Sequence, residues 1–162
     1  MKAADIMSTE IVSVGPDCIV SEVAGIFLKH EISAVPVLGQ DGELLGMVSD
    51  GDLMRSTEGA LQRRRSWWLT LLATRESFDP GFDPEYKKAR NRPVSEVMTR
   101  RVITASPETP VSDIAARLDR YSIKRVPIVF DGKVVGVIGR ADLVKAVAAM
   151  PKTVNEAAVV WG

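Results

Sequence analysis

Residues 33–53 read SAVPVLGQDGELLGMVSDGDL, and residues 124–143 read KRVPIVFDGKVVGVIGRADL. Each stretch holds two aliphatic, β-branched runs separated by Asp-Gly, whose glycine accepts the positive φ that a tight hairpin turn needs. Strands are therefore expected at Ala34 to Leu38 and Glu43 to Val48, and again at Arg125 to Phe130 and Lys133 to Ile138. The likeness extends on both sides, so that residues 5–56 align with 96–146 across a single-residue gap near Gln40. Identities such as Met7/Met98, Pro16/Pro107, Val35/Val126, Pro36/Pro127, Gly46/Gly136 and Asp52/Asp142 fall at punctuating positions, and most other pairs keep their polarity. An internal duplication organises the chain.

Upstream of each hairpin the same elements recur. A short extended piece (Ile11 to Val14; Val102 to Ala105) ends at a proline-bearing turn. A helix follows, with Ile19, Val20, Val23, Ile26, Phe27 and His30 at helical spacing, matched by Val111, Ile114, Ala115, Leu118 and Tyr121. A second helix opens near Ser49 and near Gly139. The expected class is α/β (α+β), with the order β-α-β-β-α occurring twice. One copy of about 50 residues is marginal as a free-standing core. Two copies packed sheet to sheet about a pseudo-twofold axis solve this and create two equivalent clefts. The division expected is a first repeat at 3–57, a helical insert and linker at 58–93, a second repeat at 94–149 and a tail at 150–162.

Composition narrows the function classes. Among 162 residues, 21 acidic and 21 basic side chains balance, so no global field draws the molecule to nucleic acid or an anionic membrane. Cys18 is the single cysteine and cannot form an internal disulfide, which fits a reducing cytoplasm. MKAADIMSTE has no apolar run with a cleavage site, and no stretch approaches the roughly 18 to 20 apolar residues of a membrane span. A soluble, cytoplasmic protein is expected. His30 is the single histidine and has no partner motif, so no metal site is expected. No nucleophile elbow, phosphate-binding lysine loop or dinucleotide fingerprint occurs, which leaves an enzyme reading without a nucleophile or base.

The stretches MSxxIVSVxPD (residues 7–17), SAVPVLGQDGELLGMVSDGDL and KRVPIVFDGKVVGVIGRADL resemble the cystathionine-β-synthase-type (CBS) domain family. The resemblance covers both repeats and leaves residues 57–93 outside it. It implies a Bateman module: two CBS domains, usually dimeric, with clefts for adenosyl ligands and a regulatory role toward a separate effector protein. It further implies a ligand motif of a glycine, two apolar residues, a Ser or Thr, two variable residues and an Asp.

Gly46-Met47-Val48-Ser49-Asp50-Gly51-Asp52 matches that motif in full. Ser49 sits at a helix N-terminus, which favours anions, and Asp52 can accept hydrogen bonds from both ribose hydroxyls. The same Ser-x-x-Asp also reads as a capping box, in which each residue satisfies a backbone N–H. The second copy, Gly136-Val137-Ile138-Gly139-Arg140-Ala141-Asp142, keeps the acid but loses the hydroxyl, and Arg140 puts a positive charge where Asp50 stood. Asp142 is the second ribose candidate, in a cleft that binds differently or stays empty. The resemblance places adenine walls at Ile11, Val12 and Ser13 with Val35 and Pro36, and at Val102, Ile103 and Thr104 with Val126 and Pro127. Core and edge packing is the plainer role for each valine.

The first cleft places Asp50 and Asp52 near any phosphate, with little compensating charge close in sequence. The run Arg63-Arg64-Arg65 is a candidate source, and residues 58–76 read as a helix with Leu61, Trp68, Leu69 and Leu72 on one face. That helix covers the module or a dimer seam, lends its arginines to a phosphate, or meets a membrane surface or nucleic acid. SFDPGFDPEY, residues 77–86, reads as a turn-rich loop. The function expected is a homodimeric, non-catalytic sensor of AMP, ADP or ATP. The alternatives are an S-adenosylmethionine sensor and a structural module with vestigial clefts.

Overall fold

The computed structural model describes residues 1–62 and 84–151. Its elements are α1 (Ala3–Ile6), α2 (Val20–His30), β1 (Ala34–Leu38), β2 (Leu44–Ser49), α3 (Asp50–Gln62), α4 (Pro84–Arg90), α5 (Val111–Arg120), β3 (Arg125–Phe130), β4 (Lys133–Gly139) and α6 (Arg140–Ala149). A 3₁₀ turn at Val94–Glu96 precedes the second repeat. Helix α2 buries Val20, Val23 and Phe27 at intervals of three and four, and stops where Glu31 turns left-handed at φ 53°. Helix α5 buries Ile114 and Leu118 in the same way.

The hairpins form as expected. In the second, Asp131 and Gly132 have φ of 51° and 73° between the paired residues Phe130 and Lys133, a two-residue turn with both central residues left-handed. The first hairpin carries the extra residue, and of its turn residues Gly42 alone has positive φ, at 79°.

The extended pieces at Ile11 to Val14 and Val102 to Ala105 are not full strands. Each contracts to one parallel bridge, Val14 to Val37 and Ala105 to Ile128. Val14 donates to the Pro36 carbonyl at 3.1 Å, and Ala105 donates to the Pro127 carbonyl at 3.1 Å. The next rung would need an N–H from Pro36 or Pro127, and proline has none.

The two repeats exchange their leading segments. Residues before the first repeat's helix dock on the second: Ala3 N–H donates to the Thr109 carbonyl at 2.8 Å, and Ser8 and Val137 exchange both backbone hydrogen bonds at 3.0 Å. Residues before the second repeat's helix return the contact, with Val94 N–H on the Cys18 carbonyl at 2.7 Å and Thr99 paired to Met47 at 2.8 and 2.9 Å. Ala3/Val94, Ser8/Thr99 and Cys18/Thr109 are equivalent positions, so the exchange obeys the pseudo-twofold. Val94 is buried with Val20, Val23, Val35, Val37 and Val48 of the first core. Ala3 joins Ile114, Val126, Ile128 and Ile138 of the second. Burying Val94 alone contributes about 1.5 to 3 kcal/mol to a core that its own repeat does not own. The close crossing also explains two glycines: a Cβ on Gly46 would lie 2.8 Å from the Thr99 carbonyl oxygen, and one on Gly136 would lie 2.5 Å from Met7 Sδ.

The expected helix from residue 58 begins as the continuation of α3, while Arg63, Arg64, Arg65 and the tryptophan pair lie outside the described residues. Helix α4 takes up Pro84 to Tyr86, which the sequence assigned to a loop; the helix formers from Glu85 to Arg90 outweigh the Asp-Pro turn signal. Among the described residues no helix is long and apolar enough to cross a membrane.

Candidate functional site

Two clefts open where the repeats meet, and each is assembled from both. The narrow cleft, about 280 Å³, sets Ser49 and Asp52 of the first repeat against Thr99, Arg101, Val102 and Ile103 of the second. The wide cleft, about 560 Å³, sets Arg140, Asp142 and Lys145 against Ile11, Val12 and Pro36. Ser122 and Lys124, in the connection from α5 to β3, and Arg125, the first residue of β3, line both. The carboxylate of one repeat therefore faces the extended segment of the other, because strand exchange carries each leading segment across the pseudo-twofold.

The narrow cleft is internally satisfied. Ser49 N–H donates to Asp52 Oδ2 at 2.8 Å, the Ser49 hydroxyl lies 3.1 Å from that oxygen, and Asp52 N–H donates to Ser49 Oγ at 3.3 Å. This is the capping box, formed in full. The other oxygen, Oδ1, accepts from the Arg55 guanidinium and from Thr99 Oγ1 at 3.4 Å. Asp52 is only 7% exposed, so a ribose hydroxyl must displace one of these donors.

The wide cleft is less committed. Asp142 Oδ2 accepts from Gly139 N–H at 2.8 Å, and no other hydrogen bond to this carboxylate occurs among the described residues. Arg125, Arg140 and Lys145 line the space without an ion pair among the described residues, opposed by Asp142 and Glu10. Arg140 and Lys145 are exposed.

The remaining sequence candidates divide. Thr104 lines a separate hollow beside Ile103, and its carbonyl accepts from Arg117. Ser13 is exposed and lines neither cleft. Val35, Val126 and Pro127 are fully buried and line neither cleft; they are core. Arg63, Arg64 and Arg65 lie outside the described residues.

The expected shortage of positive charge near Asp50 and Asp52 does not exist. Arg55, one turn along α3, pairs with Asp52, and Lys124 from the other repeat pairs with Asp50. The Lys124 ammonium holds the Asp50 carboxyl below its ordinary value, assisted by Gly51 N–H and opposed by partial burial. Sequence reasoning missed Arg55, Thr99, Arg101, Lys124, Arg125 and Lys145. Comparison of the repeats carried a signal: Lys124 replaces Ser33 and Arg140 replaces Asp50 at facing positions. Cys18 is kept as a thiol, since burial and then its hydrogen bond to Glu22 push it up to about 11. Among the described residues no His, Cys, Asp and Glu cluster is placed to hold a metal ion.

A family model for the CBS domain matches residues 3–59 and 94–149, the two repeats in turn. The chain belongs to the CBS domain family. An uncharacterized protein of Methanocaldococcus jannaschii, MJ1426, is 32% identical over 156 residues, covering 90% of each chain. The CBS domain-containing protein YhcV of Bacillus subtilis is 27% identical over 139 residues, covering 86% of this chain and 80% of its own. Among solved structures, the CBS domain pair of protein MJ0100, in complex with 5′-methylthioadenosine and S-adenosyl-L-methionine, is 25% identical with a TM-score of 0.64. That match covers 91% of this chain and 96% of the other. The CBS domain of a membrane protein from Sphaerobacter thermophilus is 31% identical with a TM-score of 0.65, covering 90% and 86%. This CBS pair shares their fold.

Proposed function

We propose that this CBS pair is a non-catalytic regulatory module that senses adenine nucleotides of the AMP, ADP or ATP type. The observation that carries the reading is the wide cleft, where an available carboxylate, apolar walls and several cations converge across the repeat boundary. Asp142 suits ribose hydroxyls, Ile11, Val12 and Pro36 suit an adenine face, and Arg125, Arg140 and Lys145 suit phosphate. The narrow cleft, with Ser49, Asp52 and Ile103, is the second adenosyl site, and Arg55 and Arg101 supply its positive charge. Adenosyl binding is supported by the MJ0100 pair, which holds two adenosyl ligands.

Those ligands also support a second reading, an S-adenosylmethionine sensor. The charge argues against it, because a sulfonium is repelled by the cations that attract a phosphate. Ligand binding to the native state raises stability by RT ln(1 + [L]/Kd), about 2.7 kcal/mol at a hundredfold excess. Thermal melts with AMP, ADP, ATP, adenosine and S-adenosylmethionine separate the readings. Upward shifts that are larger for the nucleotides than for adenosine or S-adenosylmethionine are expected. The largest shift with S-adenosylmethionine favours the second reading, and no shift with any of them rejects both.

The regulatory role implies an effector protein and a dimer. Leu28 on α2 is 82% exposed and Val144 and Val147 on α6 are 68% and 66% exposed, apolar side chains on both repeats that a second copy of the chain could cover. Light scattering at micromolar concentration should give twice the 17.6 kDa chain mass. A monomer throughout the concentration range rejects the dimer.

A further inference from the structure

Lys124 occupies a singular place in the molecule. It lines both clefts, yet its ammonium is bound across the repeat boundary to Asp50, at the start of α3. The pseudo-twofold equivalent of this pair is Ser33 with Arg140, which forms no bridge; the contact belongs to one side only. Both partners are about half exposed, at 47% and 46%, so solvent screens the bridge and an incoming anion can compete for it. The wide cleft already gathers Arg125, Arg140 and Lys145, and Lys124 is the one cation lining it that is tied to a carboxylate among the described residues.

We infer that Asp50 is an internal competitor of the ligand: it holds Lys124 in reserve, and a polyphosphate in the wide cleft takes Lys124 from it. Lys124 is then a phosphate contact of the nucleotide-bound state, and Asp50 sets the threshold at which phosphate is recognised. The inference rests on the nucleotide reading above and adds to it a residue that discriminates by phosphate charge. Adenosine, which has no phosphate, gains nothing from Lys124 and loses nothing to Asp50.

Calorimetric titration of ATP and adenosine into the full chain, Asp50→Asn, Lys124→Met and the double variant tests this. Asp50→Asn should bind ATP about threefold to fivefold tighter and Lys124→Met about fivefold weaker, the low end of coupling for a solvent-screened pair, with adenosine unchanged in both. In the double variant the gain from Asp50→Asn should vanish, because there is no lysine left to release. The gain should persist when Asp52→Ala disables the narrow cleft. An Asp50→Asn gain that survives in the Lys124→Met background reports general charge rather than competition and overturns the inference. Equal shifts for ATP and adenosine, or none in folded variants, overturn it as well while leaving the nucleotide reading intact. Absence of binding by wild type to both ligands removes that reading and the inference with it.

Discussion

The two clefts are built from equivalent positions and differ at most of the polar ones. Where the narrow cleft has Ser49, Arg55 and Thr99, the wide one has Gly139, Lys145 and Ser8, and Arg140, which lines the wide cleft, stands where the first repeat has Asp50. The carboxylates Asp52 and Asp142 are common to both, but their surroundings reverse their availability. Asp52 has both oxygens engaged by Ser49, Arg55 and Thr99, whereas Asp142 is held by one backbone N–H. The copy that keeps the full ligand motif is thus the copy whose acid is already occupied. A motif match reports which residues are present and says nothing about which of them are still free to bind.

The cores differ in a parallel way. Val23, Val37 and Val48 in the first correspond to Ile114, Ile128 and Ile138 in the second, while Phe27 corresponds to Leu118. The first core exchanges methylenes for one aromatic ring, and both fill a similar space. Truncation should expose the difference. Ile114→Ala removes three carbons from a fully buried site and should cost about 3 to 4 kcal/mol by urea denaturation. Val23→Ala should cost about 1 kcal/mol less, having one methylene fewer to lose. Equal losses would mean that one repeat relaxes around its cavity and the other does not.

The crossings should also prove unequal. Gly46→Ala drives a Cβ toward the Thr99 backbone oxygen at 2.8 Å, which cannot move without breaking the exchange pairing with Met47. Gly136→Ala meets atoms of the Met7 side chain, with Sδ at 2.5 Å, and a methionine can swing aside. The expected costs are about 2 to 3 kcal/mol and about 1 kcal/mol. A reversed order would contradict the rigidity assigned to the Thr99 segment.

Two smaller effects sharpen the cleft comparison. Arg55→Met removes a donor from Asp52 and should strengthen adenosine binding in the narrow cleft by about fivefold, roughly the 1 kcal/mol of one displaced hydrogen bond. Calorimetry in an Asp142→Ala background isolates that site, and weaker binding would show that Arg55 serves the ligand rather than blocking it. The Asp50–Lys124 bridge should contribute about 0.5 kcal/mol or less, given its exposure. Because the folded carboxyl of Asp50 lies below its ordinary value, the contribution is present above an unfolded pKa of about 4. It is lost as pH falls through the lower folded value. The stability difference between wild type and Lys124→Met should close in that acid window, and a difference that widens there reverses the sign.

Much of the fold was legible because it is written locally. Asp-Gly turns, aliphatic β-branched runs and the Val20/Val23/Phe27 stripe each reflect contacts within a few residues, and duplication presented each signal twice. The exchange of leading segments was not legible, since Ala3 and Val94 bear no local mark of the repeat that will bury them. The missing strands at Ile11 and Val102 turned on a single absent N–H at each proline. At the clefts, the acids and part of the apolar wall were readable from the motif. Thr99, Arg101 and Lys124 were not, because they arrive from the opposite repeat.

The inequality of the clefts is tested most directly by titrating ATP into wild type, Asp52→Ala and Asp142→Ala under one salt condition. Asp142→Ala should abolish the tighter site, weakening it about tenfold or more, as loss of a charge-assisted pair of ribose contacts would. Asp52→Ala should leave that site within about twofold of wild type. Loss of the tighter site in folded Asp52→Ala, with Asp142→Ala unaffected, would contradict the assignment and return the principal site to the full motif at Ser49 and Asp52.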